Sequence, residues 1–216
     1  MRSAFSPRVP EFCTEEDLAV CRDPAYWKGR WSHYRQAAQI LTKLCKEGPI
    51  LEVGPYTCPL IRNAVCMDTM DHGIGAVRWD AGRPGWPFHR SSFSAVVALQ
   101  VIEHLRSPAG QQTFFEEAAR VARGVILISV PWKWNEDGDH GRIDDSVLAE
   151  WTLGTVPVES DSGTGVPGKL RRVLAYRSVD IRASFARRRK TDTTRTIVET
   201  CPKVRSSEDN DVPSET

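Results

Sequence analysis

FSAVVALQV (Phe93–Val101), QQTFFEEAARVA (Gln111–Ala122) and VILISV (Val125–Val130) follow one another in the chain, and their order decides the fold. The first and third strings are rich in β-branched and small apolar residues, which is the composition of strands buried on both faces. In the middle string Phe114, Phe115, Ala118, Ala119 and Val121 recur at helical spacing, so a helix joins the two strands. Strand, helix and strand in that order make a crossover unit of a parallel sheet. Pro131 is expected to stop the last run, because it has no N–H to give to a ladder.

Working upstream, ILEVG (Ile50–Gly54) reads as a short apolar strand ending at a glycine, and Ala64–Met67 as a second strand leading to Asp68, with only a short connection between them. The segment YWKGRWSHYRQAAQILTKLCKEG, which starts at Tyr26, places Ile40, Leu41 and Leu44 at helical spacing, and Gly48 with Pro49 stops that helix. Downstream, a polar loop from Lys133 to Asp144 leads to a short helix over Asp145–Trp151, and KLRRVLAY (Lys169–Tyr176) reads as a last strand. Three parts result: an irregular lead-in over 1–25 with one helical turn, an α/β domain over 26–177, and a polar tail over 178–216. The tail is expected to be disordered, because it carries the basic run Arg187–Lys190, a Ser/Asp/Glu-rich end and few apolar positions.

The bulk numbers exclude several classes. With 216 residues the chain has room for one α/β domain with a full core. A net charge of +1 is too small a field to gather phosphates, so nucleic acid is not the expected partner. The cysteines, Cys13, Cys21, Cys45, Cys58, Cys66 and Cys201, show neither a CxxC pair nor a Cys/His ligand spacing, so no metal is expected and a reducing compartment fits. Neither a signal-peptide core nor a membrane span is visible, so the expected location is the cytoplasm and no membrane partner is expected.

In an open parallel sheet the ligand crevice lies at the carboxyl ends of the strands. There the first strand offers Gly54, preceded by Glu52, and the second offers Asp68. A glycine lets a ligand approach the backbone, and a carboxylate at the next strand end accepts hydrogen bonds from ribose hydroxyls. The string GPYTCPL after Val53 lacks the GxGxxG pattern of a dinucleotide site, which disfavours NAD and FAD.

The strings ILEVGP (Ile50–Pro55), WDAGRPGWPF (Trp79–Phe88), FSAVVALQVIEHL (Phe93–Leu105) and VILISVPW (Val125–Trp132), with Asp68 between the first two, resemble the class I S-adenosylmethionine-dependent methyltransferases, in particular small bacterial type 11-like ones. The resemblance extends from Tyr26 to Tyr176. It implies a Rossmann-like, mostly parallel sheet of about seven strands with helices on both faces, and S-adenosyl-L-methionine as cofactor. By match, Glu52, Gly54 and Pro55 would meet the methionine moiety, Asp68 the ribose, and Asp80 with Ala81 the adenine. Gln100, Val101 and His104 would form the floor beneath the sulfonium. A segment before the first strand caps the cofactor in relatives, which assigns Tyr26, Arg30 and Trp31 to it, with Arg30 facing the methionine carboxylate. The family's glycine-rich turn is reduced here to Gly54, Pro55, Tyr56 and Thr57.

Methyl transfer needs a base only when the acceptor must lose a proton, and His104 and His140 are the candidates for that role. The expected acceptor is a hydroxyl or amine of a small molecule or glycan, with O-methylation favoured, on a monomer or homodimer; the Asn/Asp-Pro-Pro-aromatic string used in amine methylation of bases and glutamine is missing after Leu99, which disfavours nucleic-acid amines. Two alternatives stand beside this reading. One is a non-catalytic protein that keeps the methyltransferase fold and binds the cofactor, and the other is an RNA or protein methyltransferase anchored by the basic tail.

Overall fold

The computed structural model describes residues 9–21, 29–105, 107–133, 143–161 and 170–200, the segment 193–200 as backbone alone. The elements are α1 (Glu15–Ala19), α2 (Trp31–Leu44), β1 (Ile50–Val53), β2 (Val65–Asp68), β3 (Val77–Arg78), β4 (Phe93–Leu99), a 3-10 turn (Ile102–His104), α3 (Pro108–Val121), β5 (Ala122–Trp132), α4 (Asp145–Thr152), β6 (Glu159–Ser160), β7 (Leu170–Arg177) and α5 (Ser178–Thr200). One sheet of seven strands runs in the order β3-β2-β1-β4-β5-β7-β6. The pairs from β3 to β5 are parallel, and β7 is antiparallel to both of its neighbours. Strand order reverses between β1 and β4, the switch point where a crevice opens.

Alternation along the strands sorts the side chains onto two faces. Leu51, Val53, Val96, Ala98, Ile126, Ile128, Leu174 and Tyr176 pack with Phe114 and Phe115 of α3 and with Leu148 and Trp151 of α4. Ile50, Ala95, Val97, Leu99, Val125, Leu127, Val173 and Ala175 pack with Tyr34, Ala37, Ile40 and Leu41 of α2. Local signals start the helices. Ser107 accepts the Gly110 N–H at the head of α3, whose first residue is Pro108, and Asp144 accepts the Ser146 and Val147 N–H groups at the head of α4.

No helix lies between β1 and β2; residues 54–64 connect them. Parallel strands are usually joined across a helix, which satisfies its own backbone. Here the acceptors come from elsewhere. The Glu52 carboxylate, 1% exposed, takes the Leu60 N–H at 2.7 Å and the Ile61 N–H at 2.9 Å. The N-terminal segment adds an antiparallel bridge between Phe12 and Ile61, and the Cys13 N–H donates to the Leu60 carbonyl. The lead-in is therefore pinned around Phe12 and Cys13 before α1, which a Thr14/Asp17 capping box starts.

Two expectations are corrected. The tail does not begin as disordered chain: α5 starts at Ser178, and Ile181 and Phe185 are buried in the α3-side core. These two lie on one helical face, and low average hydropathy around them hid the pair. The first compact unit accordingly runs to Phe185 rather than Arg177, and a second comprises Ala186–Thr216. In that second unit α5 continues to Thr200, with an i,i+4 ion pair between Arg188 and Asp192. Pro131 does not stop β5, which runs on to Trp132. The Ser129 carbonyl takes the Gln100 N–H, so residues 129 and 131 turn their backbone polar groups toward β4, and β4 ends at Leu99. The N–H that Pro131 lacks would have pointed past the end of the neighbouring strand.

Candidate active site

A cavity of about 660 Å³ opens at the carboxyl ends of β1, β2 and β4. Its walls are built by the residues that follow each strand. After β1, Gly54 has φ +65°, and a Cβ there would meet the Val101 side chain at 2.6 Å. Only glycine allows both this backbone and the close approach of Val101. At the end of β2, Asp68 accepts the Tyr56 N–H at 3.3 Å and the Thr69 hydroxyl at 3.2 Å. Two oxygens offer about four acceptor sites, so capacity remains for a ligand hydroxyl. After β3, Asp80 accepts the Gly82 N–H at 2.9 Å and faces Arg83 at 3.4 Å. Beside it Ala81 is 6% exposed, and the buried Trp79 Nε1 has no partner.

The floor comes from the exit of β4. Gln100 is buried with φ +58°, a strained conformation for a residue with a side chain. Its surroundings hold it there. The Gln100 N–H donates to the Ser129 carbonyl, its Nε2 donates to the Ser129 hydroxyl at 3.3 Å, and its Oε1 accepts from Arg171 Nε at 3.3 Å. Val101, His104 and Leu105 continue the wall, with His104 exposed.

Gly54, Asp68, Asp80, Ala81, Gln100, Val101 and His104 thus converge on one cavity. The other candidates do not border it. Glu52 alternates away from Leu51 and Val53 onto the α2 face, where backbone donors occupy both its oxygens and burial raises its pKa to about 7. Pro55 is buried, and its carbonyl takes the Cys58 N–H. Trp31 packs on the α2-side core, and Arg30 precedes α2, its charge acting on His33 and Glu103. Tyr26 and His140 lie outside the described residues.

Tyr56, Thr69, His72 and Trp79 also line the cavity, and none of them stood out in the sequence. Trp79 precedes Asp80 and could have been read from that position. His72 could not. It is presented by a turn in which Asp71 Oδ1 accepts the N–H groups of Gly73, Ile74, Gly75 and Ala76, and its ring meets Tyr56 edge-on at 4.6 Å. Trp132 is the last residue of β5, is 8% exposed beneath the Arg172 guanidinium, 4.4 Å from the ring centre, and does not line the cavity.

Sheet order, a single antiparallel strand next to β5 and a crevice at the switch point together specify one architecture. The fold is that of the class I S-adenosylmethionine-dependent methyltransferases. Solved structures of this methyltransferase fold agree. N-methyltransferase NodS from Bradyrhizobium japonicum WM9 in complex with S-adenosyl-L-homocysteine matches with a TM-score of 0.54 at 14% identity, over 76% of this chain and 95% of that one. The 1,6-didemethyltoxoflavin-N1-methyltransferase of Burkholderia thailandensis gives 0.52 at 13% identity, over 82% and 97%. At these identities the likeness of the methyltransferase fold is one of architecture. No family model matches the sequence, and no curated protein matches it.

Proposed function

We propose that the chain is an S-adenosylmethionine-dependent methyltransferase whose acceptor is a hydroxyl of a small molecule or glycan. The observation that carries this reading is the cavity at the strand ends, with Asp68 and Asp80 on one side and the Gly54–Val101 contact on the other. Its size suits a nucleoside with a short side chain. The residues present fit the cofactor: Asp68 would accept from the ribose hydroxyls, Asp80 would stand beside the adenine, and Gly54 leaves backbone room for the methionine arm.

S-adenosylmethionine would supply an already activated methyl carbon, so the chain's task is to hold the acceptor in line with it and exclude water. Gln100, braced by Ser129 and Arg171, fixes the floor against which that line is set. The solved N-methyltransferases of the same fold make amine acceptors the second reading. The exit of β4 reads Gln100-Val101-Ile102-Glu103-His104 and offers no Asn/Asp-Pro-Pro-aromatic string, which speaks against the amines of bases and glutamine.

Calorimetry with S-adenosylmethionine and S-adenosylhomocysteine tests the core of this proposal. Binding of both in the micromolar range, about −8 kcal/mol, is expected. Binding of neither would reject the cofactor, and binding without methyl transfer to any hydroxyl or amine would favour the non-catalytic reading.

A further inference from the structure

The connection between β1 and β2 reaches the cavity at Tyr56 and has to keep its shape there without a crossover helix. On the α2 side the Glu52 carboxylate anchors it, and the Tyr34 hydroxyl donates to the Cys58 carbonyl at 3.2 Å. At the cavity end Tyr56 is held twice. Its N–H donates to Asp68 Oδ2 at 3.3 Å, and its ring meets the His72 ring edge-on, with centroids 4.6 Å apart and an interplanar angle of 69°. That separation lies in the range of a favourable aromatic pair. Tyr56 has φ +56°, a left-handed conformation that a residue with a side chain adopts at a cost and keeps only when its surroundings hold it.

His72 belongs to the turn between β2 and β3, and that turn is itself fixed. Asp71 Oδ1 accepts the N–H groups of Gly73, Ile74, Gly75 and Ala76 at 3.0 to 3.3 Å, with Gly73 and Gly75 at φ +85° and +70°. Tyr56, Asp68 and His72 all border the cavity, whereas Asp71 is absent from its lining. Neither Asp71 nor His72 lies in a string that carries the family resemblance, so the pair is read from its contact and not from a motif.

Building on the cofactor reading above, we propose that Tyr56 and His72 clasp the cavity edge at Asp68, His72 positioning Tyr56 through the ring contact and Asp71 positioning His72. The clasp supplies the support that a glycine-rich turn and a crossover helix would otherwise give, and it borders the ribose that Asp68 would hold. Support and independent ligand contact differ in one measurable respect. Residues that touch a ligand separately lose affinity additively, whereas residues that act through one contact do not.

Titration calorimetry of the full chain with S-adenosylhomocysteine, beside thermal melts, reads that difference. His72→Ala should weaken binding by roughly two- to tenfold, the loss of one aromatic pair, and Tyr56→Ala by at least as much. The double variant should bind no more weakly than Tyr56→Ala alone. His72→Phe keeps a ring at the contact and should restore affinity to within about twofold. Asp71→Ala, at a residue outside the cavity, should weaken binding as His72→Ala does and add nothing when the two are combined. All these variants lie on surface turns and should melt within a few degrees of the unaltered chain. A second measurement is independent of how the variants fold: on the unaltered chain the ring-proton resonances of both His72 and Tyr56 should move when S-adenosylhomocysteine binds. Full affinity in His72→Ala, additive losses in the double variant, an unrestored His72→Phe or unmoved ring resonances would each overturn the clasp. So would a loss of affinity accompanied by a fall in melting temperature of more than about 10 °C, which would make the turn structural. If the unaltered chain binds no S-adenosylhomocysteine, the cofactor reading itself fails; if it binds and the His72 and Tyr56 variants bind equally well, the clasp alone fails.

Discussion

The two faces of the sheet are built in different ways. On the α3 side, α3, α4 and the first turns of α5 cover the strands, and the core holds Phe114, Phe115, Trp151, Tyr176 and Phe185. Its buried acid, Glu117, is bonded by Arg120 and by the Trp86 N–H at 2.8 Å. On the α2 side α2, Leu18 of α1 and a helix-free connection do the covering, and Glu52, Ser129 and His33 are buried at 1%, 0% and 0% exposure. Where a crossover helix is missing, side chains must supply the acceptors that a helix supplies to itself. On that face, therefore, a buried acid serves the backbone of the connection.

The comparison is most exposed to failure at Glu52. Glu52→Ala leaves two buried N–H groups without acceptors and should cost about 2–6 kcal/mol, a fall in melting temperature on the order of 10 °C. Glu117→Ala on the other face removes the buried partner of an arginine that is itself 26% exposed and can reach water, and should cost less, about 1–3 kcal/mol. Equal losses in thermal melts would erase the distinction between the faces.

Acid–base behaviour sharpens it. The folded pKa of Glu52, about 7, stands above its unpaired value of 4.5. Protonation thus favours the fold. Its contribution is full below pH 4.5 and is lost as the pH rises through 7, on the order of 3 kcal/mol. Denaturant melts at pH 5 and pH 8 should show that slope in the native chain and a reduced one in Glu52→Gln. An unchanged slope would mean that Glu52 stays ionised in both states.

At the crevice, Asp68→Ala should weaken S-adenosylhomocysteine binding by roughly ten- to a hundredfold while leaving the melting temperature within a few degrees. Normal affinity would move the ribose elsewhere. The smallest effect belongs to the end of the chain. Truncation after Ala186 keeps Ile181 and Phe185 and should change stability by less than about 1 kcal/mol, whereas truncation after Arg177 removes both and should unfold the chain or lower its melting point steeply. Equal stability of the two products would show that α5 contributes nothing to the first unit.

The strands β1, β2, β4, β5 and β7 and the helices α2, α3 and α4 were readable because periodicity is local: a few residues at spacing two or three to four suffice. The two-residue strands β3 and β6 were not, since so short a run carries no period. Asp68 and Gly54 were legible as crevice residues because each directly ends or follows an apolar run, whereas Asp80 was placed there by the family resemblance alone. Glu52 was placed in the crevice with them. Strand parity places it on the opposite face, and parity becomes informative only when the partner of each face is known.

By itself the sequence determined that buried parallel strands alternate with a helix, and that a glycine and two acids stand where such strands end. Tertiary structure alone decided which polar side chains meet. Gln100 at the exit of β4 meets Ser129 of β5 and Arg171 of β7. Nothing local links them, because their proximity follows from strand order. The side chains of a connection can be counted in a sequence, but what remains unbonded beneath it is set only when both faces are packed.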